Sequence, residues 1–341
     1  MNYSPNTTIA VPSPIPSGHA RQHKSEASDQ YRAMCHQEDL PVYRCNDYLS
    51  YAAGIIVEKD AHDPPYSAPI DIVCRFRMVE WSFTVVDFAK LHHETVNVAM
   101  SLVDRYLSSR CPEASKVMLS CKLYQLACMS ALFLAIKMNE RTIVNATVFA
   151  ELSRGSFTAA DILRMERIML KSLGWRVNGP TTHGFFRHIM ALTSENSSSS
   201  YTINSTFTEL CNFQLYLSVG DYFFCSQKPS IIAIAAIMNA VDNSGADDLY
   251  EFDSVSFLKE LANISEVDLY SIEVQSAKYR LRMLLNNNGV VLQPPSKLST
   301  PTARVSSPIC VSRMKHVVSE RACVETPLSS KTINCPQPAF C

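Results

Sequence analysis

LYQLACMSALFLAIKM, residues Leu123–Met138, is apolar almost all round, and small side chains recur along it at Ala127, Ser130, Ala131 and Ala135. A helix with one apolar stripe lies on a surface, whereas one that is apolar on every side has to be enclosed. Small residues let the enclosing helices come close. Its apolar stretch, Tyr124–Ile136, is shorter than the ~18 residues of a membrane span, so it predicts a core helix of an all-α domain. The same signature returns in SIIAIAAIMNAV, Ser230–Val241, with Ala233, Ala235, Ala236 and Ala240. Two such helices predict two helical bundles in tandem, each with an alanine-rich helix third in order.

The flanking sequence supplies the neighbours. Ile72, Phe76, Val79, Phe83 and Val86 recur at three and four residues and predict a helix over Ile72–Phe88. Val96, Met100, Val103 and Leu107 share one face of His93–Leu107, and Cys111-Pro112 marks the break after it. Asn145–Leu152 is a short helix, and Thr158–Leu173 opens on Thr158 as its N-cap. Gly179-Pro180 separates the halves. Thr182–Leu192, Ile203–Tyr222, Asp253–Ile264 and Glu266–Leu285 complete the second bundle, and a shorter helix, Leu40–Ala53, precedes the first. No segment alternates with the period of a strand. Residues 1–36 are rich in Ser, Pro, Asn and Gln, residues 291–341 are punctuated by prolines, and both are expected to be disordered tails. The folded part then divides into 37–178 and 179–290.

Composition narrows the function. Lys and Arg number 31 against 32 Asp and Glu, a net charge of −1 over 341 residues, so no whole-chain basic footprint for nucleic acid exists. The 12 cysteines contain no C-x-x-C pair, which argues against a zinc ribbon or finger. The opening MNYSPNTTIAVPSPIPSG lacks the basic and apolar regions of a signal peptide, so an intracellular chain with reduced thiols is expected. Catalytic constellations are weak. His92-His93-Glu94 resembles the start of a zincin motif, but position 97 is Asn. His183 and His188 stand five apart, off the four-residue spacing that lets two imidazoles share a metal. No Gly-rich phosphate loop is present, and nothing local activates a cysteine. The expectation is a protein without catalytic residues, metal or cofactor, with a binding or regulatory role.

Four stretches, in order and at matching spacing, resemble the cyclin box. They are Cys74-Arg-Phe-Arg-Met-Val-Glu-Trp81; Glu94-Thr95 through Val103-Asp-Arg-Tyr-Leu-Ser108; Gln125-Leu126 through Ala135-Ile-Lys-Met-Asn-Glu140; and Ile162-Leu-Arg-Met-Glu166 through Leu173-Gly-Trp175. Pro180-Thr181 with Phe185-Phe186, and Lys228-Pro-Ser-Ile-Ile-Ala233, look like openings within a second cyclin fold. The resemblance covers about residues 38 to 286 and implies two five-helix cyclin folds. It implies a regulatory subunit, nuclear or cytoplasmic, that binds and activates a cyclin-dependent Ser/Thr protein kinase in cell-cycle control. Residue by residue it implies an internal ion pair, Arg75 with Asp104, and kinase contacts at Lys137, Glu166 and Leu126, both charges being expected at the surface. It also implies a substrate-docking patch at Met78, Trp81 and Gln125. There Arg77 stands in place of the usual Ile and Cys74 in place of Met, so weak binding of basic docking motifs is expected. Thr300-Pro301, Ser307-Pro308 and Thr326-Pro327 are the dipeptides that proline-directed kinases accept, making Thr300, Ser307 and Thr326 candidate phosphorylation sites. The alternative is a transcription-factor-like double cyclin fold that binds nucleic acid and polymerase, which requires a basic surface that the neutral charge argues against. No membrane partner is expected.

Overall fold

The computed structural model describes residues 17–52, 69–196, 205–244 and 253–287, and among them there is no strand. A leading helix α1 (Ser17–Asp39) runs into a 3-10 turn at Pro41–Tyr43. The first bundle holds α2 (Ile72–Ala89), α3 (Glu94–Ser108), α4 (Pro112–Met118), α5 (Cys121–Asn139), α6 (Ala146–Glu151) and α7 (Ala159–Ser172). The second holds α8 (Thr182–Asn196), α9 (Ser205–Gly220), a 3-10 turn at Tyr222–Ser226, α10 (Pro229–Ser244), α11 (Ser254–Ser265) and α12 (Ile272–Asn287).

The helix starts are written into single side chains that take up otherwise unpaired backbone N–H groups. Asp71 accepts from Cys74 N at 2.7 Å, Ser120 from Leu123 N at 3.3 Å, and Asp253 from Ser256 N at 3.1 Å. Thr158 and Asp161 form a reciprocal capping box at the start of α7, as the Thr158 cap predicts.

Two cores result, one around each alanine-rich helix. In α5 every residue from Leu126 to Ile136 is buried, enclosed by α2, α3, α4 and α7. At 19 residues α5 is longer than its apolar run, and by length and composition alone it could cross a membrane. Its enclosure makes it the axis of the first bundle instead. In α10 Ser230 to Val241 is buried throughout, against α8, α9, α11 and α12.

Three expectations need correction. Residues 17–36 belong to α1, so a disordered tail does not extend to residue 36; the remainder of that tail, and all of 291–341 with Thr300, Ser307 and Thr326, lie outside the described residues. Helix α1 is held by packing on α8: Tyr31 is 4% exposed and meets Phe185 edge-on at 5.7 Å. Gly184 permits the approach, since a Cβ there would sit 3.0 Å from the Met34 side chain. Next, Leu40–Ala53 is no continuous helix; Pro41 opens a 3-10 turn, and helix resumes only at Tyr48. Finally, Cys111-Pro112 is a helix start as well as a break. Cys111 caps α4 and Pro112 occupies its first turn, where a missing N–H carries no penalty.

Candidate functional site

The charged residues that the resemblance singles out fall into a buried joint and a second pair at the rim of the first core. In the joint, Arg75 on α2 grips Asp104 on α3 with both ends of its fork, Nε to Oδ1 at 3.1 Å and Nη2 to Oδ2 at 2.8 Å. Both side chains are almost fully buried. Arg75 Nη1 also donates to Val219 O at 2.8 Å, near the end of α9, and Tyr48 Oη donates to Asp104 Oδ1 at 2.8 Å. Burial opposes the Arg75 charge, but the Asp104 carboxylate more than offsets it, and the arginine pKa stands above its ordinary value. The pair therefore ties α2 to α3 as the resemblance implies, and ties the first bundle to the second as well.

The second pair is Lys137 with Glu166. Lys137 ends α5, Glu166 sits midway along α7, and the two form a salt bridge. The lysine ammonium also lies 4.6 Å from the Phe133 ring centroid. The expectation that both charges are at the surface needs correction. The Lys137 side chain is 37% exposed and that of Glu166 only 10%, because Met165 and Met169 beside it seat α7 against α5. Leu126 needs a larger correction. It is buried in the first core, 8% exposed, so it mainly packs the bundle and offers a partner little surface. Exposed apolar side chains are close in sequence to the ion pair: Leu163, 43% exposed, is one turn before Glu166 on α7, and Ile143, 75% exposed, is on the connection leaving α5.

Glu140 ties the end of α5 to the start of α3. It caps that helix and reaches the start of α3, accepting from His92 N at 2.9 Å and from Thr95 Oγ1. Burial works against its charge, yet the bonds from Thr95 and His92 prevail and hold the carboxyl below its ordinary value. Trp81 and Gln125, from the expected docking patch, are half-buried on α2 and α5, as is Arg77. Met78 is core, 2% exposed.

Two residues with clear work went unassigned in the sequence. Arg105 is 5% exposed, donates to Val42 O at 3.1 Å and Arg176 O at 2.6 Å, and lies over the Tyr43 ring. It fastens the entry and the exit of the first bundle together. Glu94 accepts from Thr181 Oγ1 at 2.7 Å and from Arg187 Nη1 at 2.6 Å, joining α3 to α8. The signal for both was their place in the second resembling stretch, Glu94-Thr95 through Ser108. Among the described residues no cluster of three or more His, Cys, Asp or Glu could hold a metal.

Residues 57–178 match the family model for the cyclin N-terminal domain. Cyclin-D3-3 of Arabidopsis thaliana is 28% identical over 269 residues, 77% of this chain and 69% of that protein. Cyclin-G1 of Pongo abelii is 27% identical, covering 70% of this chain and 76% of its own length. Cyclin-A2-1 of Oryza sativa subsp. japonica is 28% identical, and the chain spans only 39% of it. The first bundle is thus matched by the cyclin N-terminal domain model, and the alignments with these cyclins run well beyond it into the second bundle.

Proposed function

We propose that this chain is a cyclin, a non-catalytic regulatory subunit that binds and activates a Ser/Thr protein kinase through the face carrying Lys137 and Glu166. The observation behind this reading is the pair itself: an ion pair at the rim of the first core, with exposed Leu163 and Ile143 close by in sequence. Apolar surface drives association, and a cation and a carboxylate set beside it offer charge-assisted bonds to unpaired peptide groups of a partner. Docking there would favour the kinase arrangement in which its own Lys–Glu pair and metal are in place. Activation is then a population shift, limited by the difference in affinity for the two kinase states. The named relatives are cyclins, which supports the regulatory role.

The test exchanges the two charges, Lys137→Glu with Glu166→Lys. The bond between positions 137 and 166 survives in reverse, so the melting temperature should stay near that of the parent. The charges offered to the kinase are inverted, so binding should fall by ~30-fold or more. Co-purification identifies the kinase, and a titration of its activation gives the loss. Full activation by the exchanged variant would remove this face from the interface.

A further inference from the structure

Two cysteines far apart in sequence meet at the seam between the bundles. Cys45 follows the first 3-10 turn, and its Sγ lies 3.0 Å from Sγ of Cys225 in the second 3-10 turn. That is inside the ordinary contact distance of two sulfur atoms, and roughly 1 Å of movement separates it from a ~2.0 Å bond. Both flanks are anchored. Ser108 Oγ is 3.0 Å from Cys45 Sγ and accepts from Asn46 N at 2.9 Å. Tyr222 Oη accepts from Tyr48 N and Leu49 N, each at 3.1 Å, and donates to Asp47 Oδ1 at 3.0 Å. Both cysteines line the cleft of about 270 Å³ between the bundles, which gives a small oxidant a way in. The other close pair, Cys74 and Cys121, has its sulfurs 3.6 Å apart within one bundle, where bonding them would displace two packed helices.

We propose that Cys45 and Cys225 form a reversible disulfide, made by exchange with a low-molecular-weight disulfide such as oxidised glutathione, that staples the two bundles together. The half-buried Cys45 reacts first. Its thiolate attacks one glutathione sulfur, forming a mixed disulfide and releasing one glutathione thiolate. Cys225, which its hydrogen bond with Cys45 and its burial keep protonated, then loses its proton to that thiolate. Its sulfur attacks Cys45 Sγ and expels the second glutathione. Two protein thiols give up two electrons and two protons, and two glutathione thiols carry them away. The new bond closes a loop that contains the whole first bundle.

The experiment equilibrates the reduced full chain in glutathione buffers of stepped oxidised-to-reduced ratio, blocks free thiols, and maps peptides without reduction. The expected product is a cross-link between the Cys45 and Cys225 peptides, two hydrogens lighter than the pair and reversed by excess reduced glutathione. The oxidised chain should melt higher by roughly 5–15 °C, a gain lost in Cys45→Ser and in Cys225→Ser. Mapping of the unsubstituted chain decides the matter even if either variant folds poorly. Free thiols at every ratio, glutathione adducts that persist on Cys45, or Cys74–Cys121 links appearing at the same ratios would each overturn the proposal. None of these readouts involves a kinase, so the staple and the regulatory role stand or fall separately.

Discussion

At the scale of single residues, His183 shows how a side chain that takes no part in docking can govern stability. It is 5% exposed, stacked on Tyr216 with ring centroids 4.8 Å apart, and faces Glu94, Arg187 and His93. Burial pushes its pKa down from 6.5 to about 4; the Glu94 carboxylate pulls the other way without prevailing. The sign follows from proton counting. Below pH 6.5 the unfolded chain takes up a proton that the folded chain refuses, so stability is complete above that value and drains away as pH falls toward 4. The full loss from this residue is about 3 kcal/mol. Glu94 and Glu140 have folded pKa values held below the ordinary 4.5, so their contributions fade lower down, while Glu38, whose carboxyl burial pushes up, acts with the opposite sign just above 4.5. Replacing His183 by Phe keeps a ring on Tyr216 and removes the titration. Denaturant melts from pH 7 to pH 5 should slope less in His183→Phe than in the parent. Parallel slopes would show that the imidazole is not responsible.

Among helices, what could be read from the sequence depended on how many partners each one has. Helices α5 and α10 are enclosed, so their all-round apolar composition announced both the fold class and their central place. That same composition already implied that Leu126 is core; a role carried over from the family made it a kinase contact instead. Helix α1 was hidden because it touches the body along one narrow line, Ala27, Tyr31, Met34, Cys35 and Glu38. The spacing is helical, but only two of the five are large and apolar, too few to stand out in a polar sequence. The last of them works through bonding: Glu38, 6% exposed, accepts from Ser230 N at 3.1 Å and Ser230 Oγ at 2.6 Å at the start of α10. Helix α4 was missed for a different reason, since seven residues give no periodicity to count. The mutual pairing of Lys137 and Glu166 was illegible because it depends on how α5 and α7 are placed, and each residue alone reads as a solvated charge. For α1 the packing argument predicts that Tyr31→Ala destabilises the chain by roughly 3 kcal/mol, while Tyr31→Phe keeps the edge-on contact with Phe185 and melts near the parent. If Tyr31→Ala also melts with the parent, α1 lies on α8 without supporting it.

Across the whole molecule, the two bundles are fixed to each other by polar bonds at their seam as well as by apolar contact. Arg75 reaches Val219 O, Tyr222 holds the chain at Asp47, Tyr48 and Leu49, and Asn97 Nδ2 donates to Thr182 Oγ1 at 2.6 Å. Glu94 makes three bonds across the seam, taking Thr181 and both outer nitrogens of Arg187. It also stands in the first turn of α3, where an acid favours the helix start. Removing it therefore acts on two elements for different reasons, and hydrogen exchange separates them. In Glu94→Ala the opening turn of α3 should exchange faster merely from the lost terminal charge. The amides of Thr182–His188 on α8 should exchange faster only if Glu94 seats that helix against the first bundle. The reciprocal variant Arg187→Ala leaves the α3 charge in place and cuts the same bond from the other side, so it should loosen the start of α3 through the seam alone. Faster exchange on both sides of the seam in both variants is the expected result. Protection of α8 that is unchanged in Glu94→Ala would mean that the apolar contact of α9 with α2 and α3 sets the bundle orientation, and that the carboxylate serves only its own helix.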